Sequence, residues 1–337
     1  MLEHSGLLSR CAVEREMSDV VEDAEEANTT LAASVASVSF MGVHGDSPSP
    51  YALAARALLR DGVVVLPGAF DSAVADACGG LAARRLGVLD RRLSELSEAY
   101  GRQGVEIPEG RHFLEVVERG GGRSDFQLWR LGKAIDPGDP TADALRADPL
   151  FAWADPKRAA PADEDCGGHV LAPLLGGLLG NGESERVRLL FAGVVAARSA
   201  TRHCVPSDTA SEQQQQQDHQ RWHRDGDPIS HGDCAASKHM SPPHCLQVFV
   251  PLTDVHSGNG PTEFRLGSHR RRDGAPGPEV TALAPCGSAL IFDYRIYHRG
   301  RANAAGTDRL VAYFIFARSW FNDKNNYTTT RTLARCM

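Results

Sequence analysis

The spacing of hydrophobic and polar residues divides the chain into a helical part and a strand-rich part. Between residues 49 and 185, apolar residues recur at helical spacing. From residue 186 onwards, apolar runs with a period of two begin, which are typical of strands. The predicted helices cover 49–60, 72–100, 141–153 and 168–179, and a strand-like run, VVVLPG, follows the first of them. The predicted strands lie within 186–199, 246–255, 288–298 and 309–321.

The connections between the predicted strands are rich in turn residues and contain no helical pattern. This argues against a parallel, doubly wound sheet and favours an antiparallel sandwich or jelly roll. The sequence therefore predicts a mainly β fold with α-helical flanks, in which 49–185 is the helical part and 186–320 is the core. Within the core, the segment 207–220 is a low-complexity insertion that includes five consecutive glutamines. We interpret it as a surface loop; the alternative is a lid over the site that follows it.

The charge distribution sets residues 1–48 apart from the rest. This segment holds nine acidic residues against two arginines, which accounts for the whole formal net charge of −7. Its polar, aromatic-poor composition predicts a disordered acidic tail, so the folded domain is expected to span 49–337. The domain itself is balanced in charge, and we therefore expect neither a nucleic acid nor a membrane partner.

Eight cysteines are scattered without any CxxC pair, which indicates reduced thiols in a reducing compartment. No segment has the apolar length of a signal peptide core or a membrane span. The sequence therefore favours a cytoplasmic location.

Candidate metal ligands occur in three His-x-Asp tripeptides. Residues two apart on a strand share one face, so such a tripeptide lets an imidazole and a carboxylate chelate one ion. His44 and Asp46 lie in the predicted tail, and His231 and Asp233 lie in a stretch without strand character. His223-Arg-Asp225 is flanked by Trp222 and Gly226, which suggests a strand end running into a turn, and we select it.

A second histidine, His298, ends a predicted strand 75 residues after His223. Two histidines and one carboxylate form the facial set of non-haem Fe(II) oxygenases and leave three positions open on the metal. Iron(II) with one aspartate keeps one positive charge, which can neutralise one carboxylate of a chelating 2-oxo diacid. Arg309, at the start of the next strand, could hold the other carboxylate with its planar fork. Gln247 alternates with apolar neighbours, and we predict that it points into the barrel, where it would touch cofactor or substrate or be a satisfied interior glutamine.

Four blocks in order resemble the phytanoyl-CoA dioxygenase family of Fe(II)/2-oxoglutarate oxygenases. They are QRWHRDG at 220–226, VPLTDVHSGNGPTEFRLGSH at 250–269, GSALIFDYRIYHRG at 287–300, and Arg309. The resemblance covers about 186–320 and implies a double-stranded β-helix, that is, a jelly-roll, cupin-like core. It also implies that His223, Asp225 and His298 are the iron ligands and that Arg309 binds 2-oxoglutarate.

The chemistry implied by the resemblance is hydroxylation of a substrate by O2, with conversion of 2-oxoglutarate to succinate and CO2 and with ascorbate as a reductant in vitro. Some members carry a hydroxyl residue two positions after the distal histidine, where this chain has Gly300, so that contact is absent or supplied elsewhere. Asp225 is retained, which favours hydroxylation over halogenation. We expect a small organic substrate, an acyl thioester or a specialised metabolite; the alternatives are a non-catalytic cupin-like binder and an oxygenase that acts on a protein side chain.

Overall fold

The computed structural model describes residues 35–39, 49–105, 107, 112–119, 122–155, 170–180, 187–199, 219–226, 242–270 and 277–333. Its α-helices are α1 Pro50–Asp61, α2 Ser72–Arg102, α3 Pro140–Ala147, α4 Pro149–Ala152 and α5 Ala172–Leu179, with a 3-10 turn at Ser268–Arg270. Its strands are β1 Ala36–Ser37, β2 Val63–Leu66, β3 Val116–Arg119, β4 Arg123–Arg130, β5 Lys133–Ala134, β6 Arg188–Ala197, β7 Cys245–Pro251, β8 Thr262–Arg265, β9 Glu279–Ala282, β10 Ala289–Asp293, β11 His298–Gly300 and β12 Arg309–Ala317.

The four predicted helical segments are all present, and local capping explains where the first two begin. Ser49 accepts a hydrogen bond from the backbone amide of Ala52, and Asp71 accepts two from the first turn of α2. The helix α1 ends at Gly62, whose φ of 86° suits glycine. The segment predicted at 141–153 forms two short helices, α3 and α4. Among the described residues, no helix is both long enough and apolar enough to cross a membrane.

The strands form one large mixed sheet and one small antiparallel sheet. The large sheet has nine strands in the order β1-β2-β10-β7-β12-β6-β4-β3, with β5 paired to β4. The small sheet has the order β11-β8-β9. Only the pairing of β1 with β2 is parallel among the described strands. The predicted mainly β, jelly-roll fold with helical flanks is confirmed.

The period-two pattern sorts the side chains of the large sheet into two layers. Ile291 of β10 belongs to the main core, which the sheet shares with the helices. Its neighbours Leu290 and Phe292 belong to a second cluster, together with Phe264 from the small sheet. The interior of the roll therefore lies between the two sheets, while the helices cover the outer face of the large sheet.

Two predicted boundaries need correction. The segment 1–48 was expected to be disordered, but Ala36–Ser37 adds a strand to the edge of the sheet by pairing with Val64 and Val65. Residues 1–34 and 40–48 lie outside the described residues. The segment 49–185 was expected to be helical apart from the short run at its start, but it also contributes β3, β4 and β5. The strand β4 was missed because its inward face is polar rather than apolar.

Candidate active site

The structure brings together the three residues that the sequence selected as metal ligands. His223 and His298 face each other as an isolated antiparallel bridge, with backbone N–O distances of 3.1 and 2.9 Å. The Nε2 atom of His298 lies 3.5 Å from Oδ2 of Asp225, and Nε2 of His223 lies 3.9 Å from Oδ1. One donor atom from each residue lies within 4.8 Å of the other two. This donor set fits a first-row divalent metal.

Backbone contacts hold both imidazoles in the orientation that a metal needs. Nδ1 of His223 lies 2.8 Å from the carbonyl oxygen of Arg221, and Nδ1 of His298 lies 3.1 Å from that of Ile296. A carbonyl oxygen can only accept, so each Nδ1 carries the proton and each Nε2 presents a lone pair beside Asp225. Burial also lowers the pKa of His298, against the opposing influence of Asp225, a shift that favours the neutral ring.

The surroundings of the three residues fix their positions further. The ring of His298 packs on Phe264 and Phe292, with centroids 5.9 and 5.1 Å away. The backbone carbonyl of Asp225 accepts a hydrogen bond of 2.8 Å from Nδ2 of Asn326. Asn326 also donates to the hydroxyl of Tyr294, at 3.1 Å. The backbone of Asp225 is thus anchored from the C-terminal segment.

A cleft opens beside the three residues and is lined by both predicted cofactor-binding side chains. Gln247 lies in its wall, 6% exposed, and its Oε1 has no hydrogen-bond partner among the described residues. Phe249, two positions along β7, lines the same wall. The predicted inward direction of Gln247 is therefore observed, while its role in cofactor binding stays a prediction.

Arg309 is a buried cation without a carboxylate partner among the described residues. It is 4% exposed, its Nε makes no hydrogen bond, and no ion pair involves it in the part of the chain that is described. Burial, and secondarily the charge of Arg123, lower the pKa of Arg309 well below its ordinary value. A buried guanidinium in this condition calls for an anion. The site therefore fits a dianionic 2-oxo acid, with one carboxylate left for Arg309.

Arg123 of β4 is a second buried cation in this cleft, and the sequence alone did not identify it. It is 4% exposed, and burial lowers its pKa to about 10. Its Nη2 donates to the carbonyl of Arg301 at 2.6 Å, while its Nε is unpartnered. The guanidinium occupies the space beside Gly300: a Cβ atom there would lie 2.0 to 2.2 Å from three of its atoms. Gly300 thus makes room for Arg123.

Three further side chains near the ligand strands differ in their positions. Tyr294 lines the cleft. Trp222 instead packs under the guanidinium groups of Arg265 and Arg299, 4.3 and 4.7 Å from its ring. Arg198 is bound to Asp90 and Asp308 and is structural. The two other His-x-Asp tripeptides and residues 207–218 lie outside the described residues.

Sequence reasoning also missed one wall of the cleft. It consists of Arg119, Asp125, Asn326 and Tyr327, together with the backbone around Asp225. The only available signal was the alternation of polar Asp125 and Gln127 with apolar Phe126 and Leu128 in β4, a pattern that predicts an exposed polar face. The C-terminal residues Asn326 and Tyr327 lie in no motif that could have identified them.

Comparison with known proteins adds a family match. The family model described as phytanoyl-CoA dioxygenase (PhyH) matches residues 58–311. Among solved structures, the non-heme alpha ketoglutarate dependent epimerase SnoN from nogalamycin biosynthesis is 20% identical over 77% of this chain and 78% of its own, with a TM-score of 0.41. AviO1 from Streptomyces viridochromogenes Tue57 is 19% identical over 78% and 93%, with a TM-score of 0.41. HygX from Streptomyces hygroscopicus, with nickel and 2-oxoglutarate bound, is 15% identical over 79% and 86%, also at 0.41.

Proposed function

The chain belongs to the phytanoyl-CoA dioxygenase family of Fe(II)- and 2-oxoglutarate-dependent enzymes, and from this premise we propose that it hydroxylates a small organic molecule. The family match covers about three quarters of the chain and includes every residue of the proposed metal site. We propose that His223, Asp225 and His298 hold the iron. The observation that carries this assignment is the convergence of their three donor atoms, with both histidines protonated on the side away from the metal.

The cosubstrate would lie between the iron and two arginines. Arg309 would bind the carboxylate of 2-oxoglutarate remote from the metal, since it is buried and has no protein carboxylate to pair with among the described residues. Arg123 would supply a second contact to the same carboxylate. In some family members, this contact comes from a hydroxyl residue at the position of Gly300. Gln247, with an unpartnered Oε1, is the further candidate for a contact with cofactor or substrate.

When iron and 2-oxoglutarate are bound, they supply oxidation by O2, with one oxygen atom ending in succinate and the other in the hydroxylated product, and with release of CO2. The protein's contribution is positional. Nδ1 contacts fix the two imidazoles, Asn326 fixes Asp225, and the buried arginines orient the dianion. The roll, closed around His298 by Phe264 and Phe292, keeps water from this side of the metal.

The test is succinate formation by the purified protein with Fe(II), ascorbate and 2-oxoglutarate under air, first alone and then with a metabolite extract. Succinate above that of a His298→Ala control supports catalysis, and stimulation by one fraction identifies the substrate. Tight Fe(II) binding without turnover in either condition would favour a non-catalytic binder or a protein substrate instead.

A further inference from the structure

The support of the metal ligands changes along the short segment that carries His223 and Asp225. At His223 the backbone pairs with that of His298 on β11. Two residues further on, the carbonyl of Asp225 accepts a hydrogen bond of 2.8 Å from Nδ2 of Asn326. No strand pairs with Asp225 in the described part of the chain. A side chain from the C-terminal segment therefore takes the place of a neighbouring strand at this ligand.

Asp323 is the residue that orients Asn326. Its Oδ1 accepts hydrogen bonds of 2.9 Å from the backbone amides of Asn325 and Asn326, which fix the turn that follows it. Its Oδ2 accepts from Nδ2 of Asn326 at 3.0 Å and from the hydroxyl of Tyr294 at 2.6 Å. Because a carboxylate can only accept, Asn326 must present its amide nitrogen here rather than its oxygen. That orientation is the one that the carbonyl of Asp225 requires.

A second route leads from Asp323 to the metal ligand through Tyr294. The ring of Tyr294 packs directly on Gly226, the residue after Asp225, since a Cβ atom at Gly226 would lie 2.7 Å from Cδ1 of the ring. The amide of Gly226 also donates to the carbonyl of Tyr294 at 3.0 Å. Asp323 holds the far end of the same side chain through its hydroxyl. The turn after the carboxylate ligand is thus fixed both by its backbone and by the ring that lies against it.

We propose that Asp323 is a positioning residue for the metal centre, which acts on the ligand Asp225 through Asn326 and Tyr294. The proposal rests on the proposed function, because it presupposes a metal at the three ligands. Asp323 is half-buried, does not line the cleft and is not one of the three donors. It also lies beyond residue 311, where the family match ends, so this support comes from the chain's own C-terminal segment.

The experiment compares Asp323→Asn with Asp71→Asn in the full-length protein. Asparagine keeps an oxygen for the backbone amides of the turn, but it puts a donor where Oδ2 of Asp323 faces the amide of Asn326, so that two NH2 groups oppose each other. Asp71 is the matched control, because it also accepts from the backbone amides two and three positions ahead, at 2.8 and 3.1 Å. Both variants lose one negative charge, but Asp71 lies at the start of α2 and makes no contact with Asn326.

The readout is the absorption spectrum of bound Co(II), titrated without 2-oxoglutarate so that no turnover is involved. Asp323→Asn should raise the Kd for Co(II) by about tenfold or more and change the absorption bands, since the support of a ligand is lost. Asp71→Asn should keep the wild-type affinity and spectrum. The ratio of Kd between Asp323→Asn and wild type should persist in about 1 M salt, where the effect of a lost charge acting at a distance is screened. Tyr294→Phe, which removes the hydroxyl that contacts both Asp323 and Asn326 without a change of charge, should also weaken Co(II) binding.

Wild-type Co(II) affinity and spectrum in both Asp323→Asn and Tyr294→Phe would overturn the proposal. An equal loss of affinity in Asp71→Asn would also overturn it, because the loss would then reflect folding in general. A Kd ratio that falls to one in high salt would reduce Asp323 to a distant charge, with the same consequence. Failure of the wild type to bind Co(II), or wild-type binding by His298→Ala, would instead refute the proposed metal site, so the two failures are distinguishable.

Discussion

Replacing Arg309 by methionine should change the stability and the cosubstrate affinity in opposite directions. In the protein without metal or 2-oxoglutarate, Arg309 is a buried cation with no anionic partner in the described part of the chain, and Arg123 repels it. Methionine keeps the length of the side chain and removes the unpaired charge. We expect a gain in the free energy of unfolding of about 1 to 3 kcal/mol, or about 2 to 4 °C in Tm for each kcal/mol.

The same substitution should greatly weaken 2-oxoglutarate binding. Removal of one partner from a buried, hydrogen-bonded charge pair costs about 2 to 5 kcal/mol, which corresponds to about thirtyfold to several thousandfold in Kd. Iron affinity should change little, because the donor atoms come only from His223, Asp225 and His298. In turnover assays, the KM for 2-oxoglutarate should rise far more than the Fe(II) concentration that gives half-maximal activity.

The assay combines thermal unfolding of the ligand-free protein with calorimetric titration of 2-oxoglutarate into the Ni(II) form. The matched control is Arg295→Met, because Arg295 is equally buried but is paired with Asp293, at 2.7 Å. The control should lose about 3 to 5 kcal/mol of stability, since it leaves a buried carboxylate unpaired, and keep its affinity for 2-oxoglutarate. A ligand-free Arg309→Met protein that is destabilised as much as the control, with nearly unchanged 2-oxoglutarate affinity, would show that Arg309 is structural.

Three further outcomes follow from other parts of the structure. His298→Ala should abolish Fe(II) binding and activity, whereas Asp233→Ala should leave both nearly unchanged, as measured by metal content and succinate formation. The reverse pattern would assign the metal site to His231 and Asp233. Asn326→Ala should weaken Co(II) affinity, measured by absorption titration, by about tenfold or more, because a support of the metal ligand is lost, whereas Asn325→Ala, on an exposed neighbour, should not; equal losses would point to a general loss of folding. Burial lowers the pKa of His269 from 6.5 to about 4, so below pH 6.5 this histidine binds a proton more readily in the unfolded chain than in the folded protein. The ligand-free protein should therefore lose stability as pH falls from 6.5 towards 4. In His269→Gln, the loss of unfolding free energy over this pH range, measured by urea unfolding at a series of pH values, should be smaller. An unchanged pH dependence would contradict its attribution to His269.

The parts of the fold that could be predicted from the sequence are those with a strong local signal. The helix α1 was predicted because a capping serine, an early proline and a terminal glycine all agree with its apolar spacing. The strands β7, β10 and β12 were predicted because both of their faces are buried, which produces near-continuous apolar runs. The convergence of His223 and His298 could be anticipated only from the order of the motifs, since a bridge between positions 75 residues apart has no local signal.

The strand β4 shows why the remainder of the site could not be predicted. Its outward residues Phe126 and Leu128 join the main core, while Arg123, Asp125 and Gln127 face the interior and are as deeply buried. Hydrophobic periodicity assigns polar positions to solvent, and this rule fails where the interior of the roll is itself a binding cleft. Such a strand is recognised only after burial is known, because the cost of its buried charges is offset by ligands that the sequence does not contain. Within this fold, a strand whose alternate polar residues are buried therefore marks a wall of the binding cleft that hydrophobic periodicity alone does not identify.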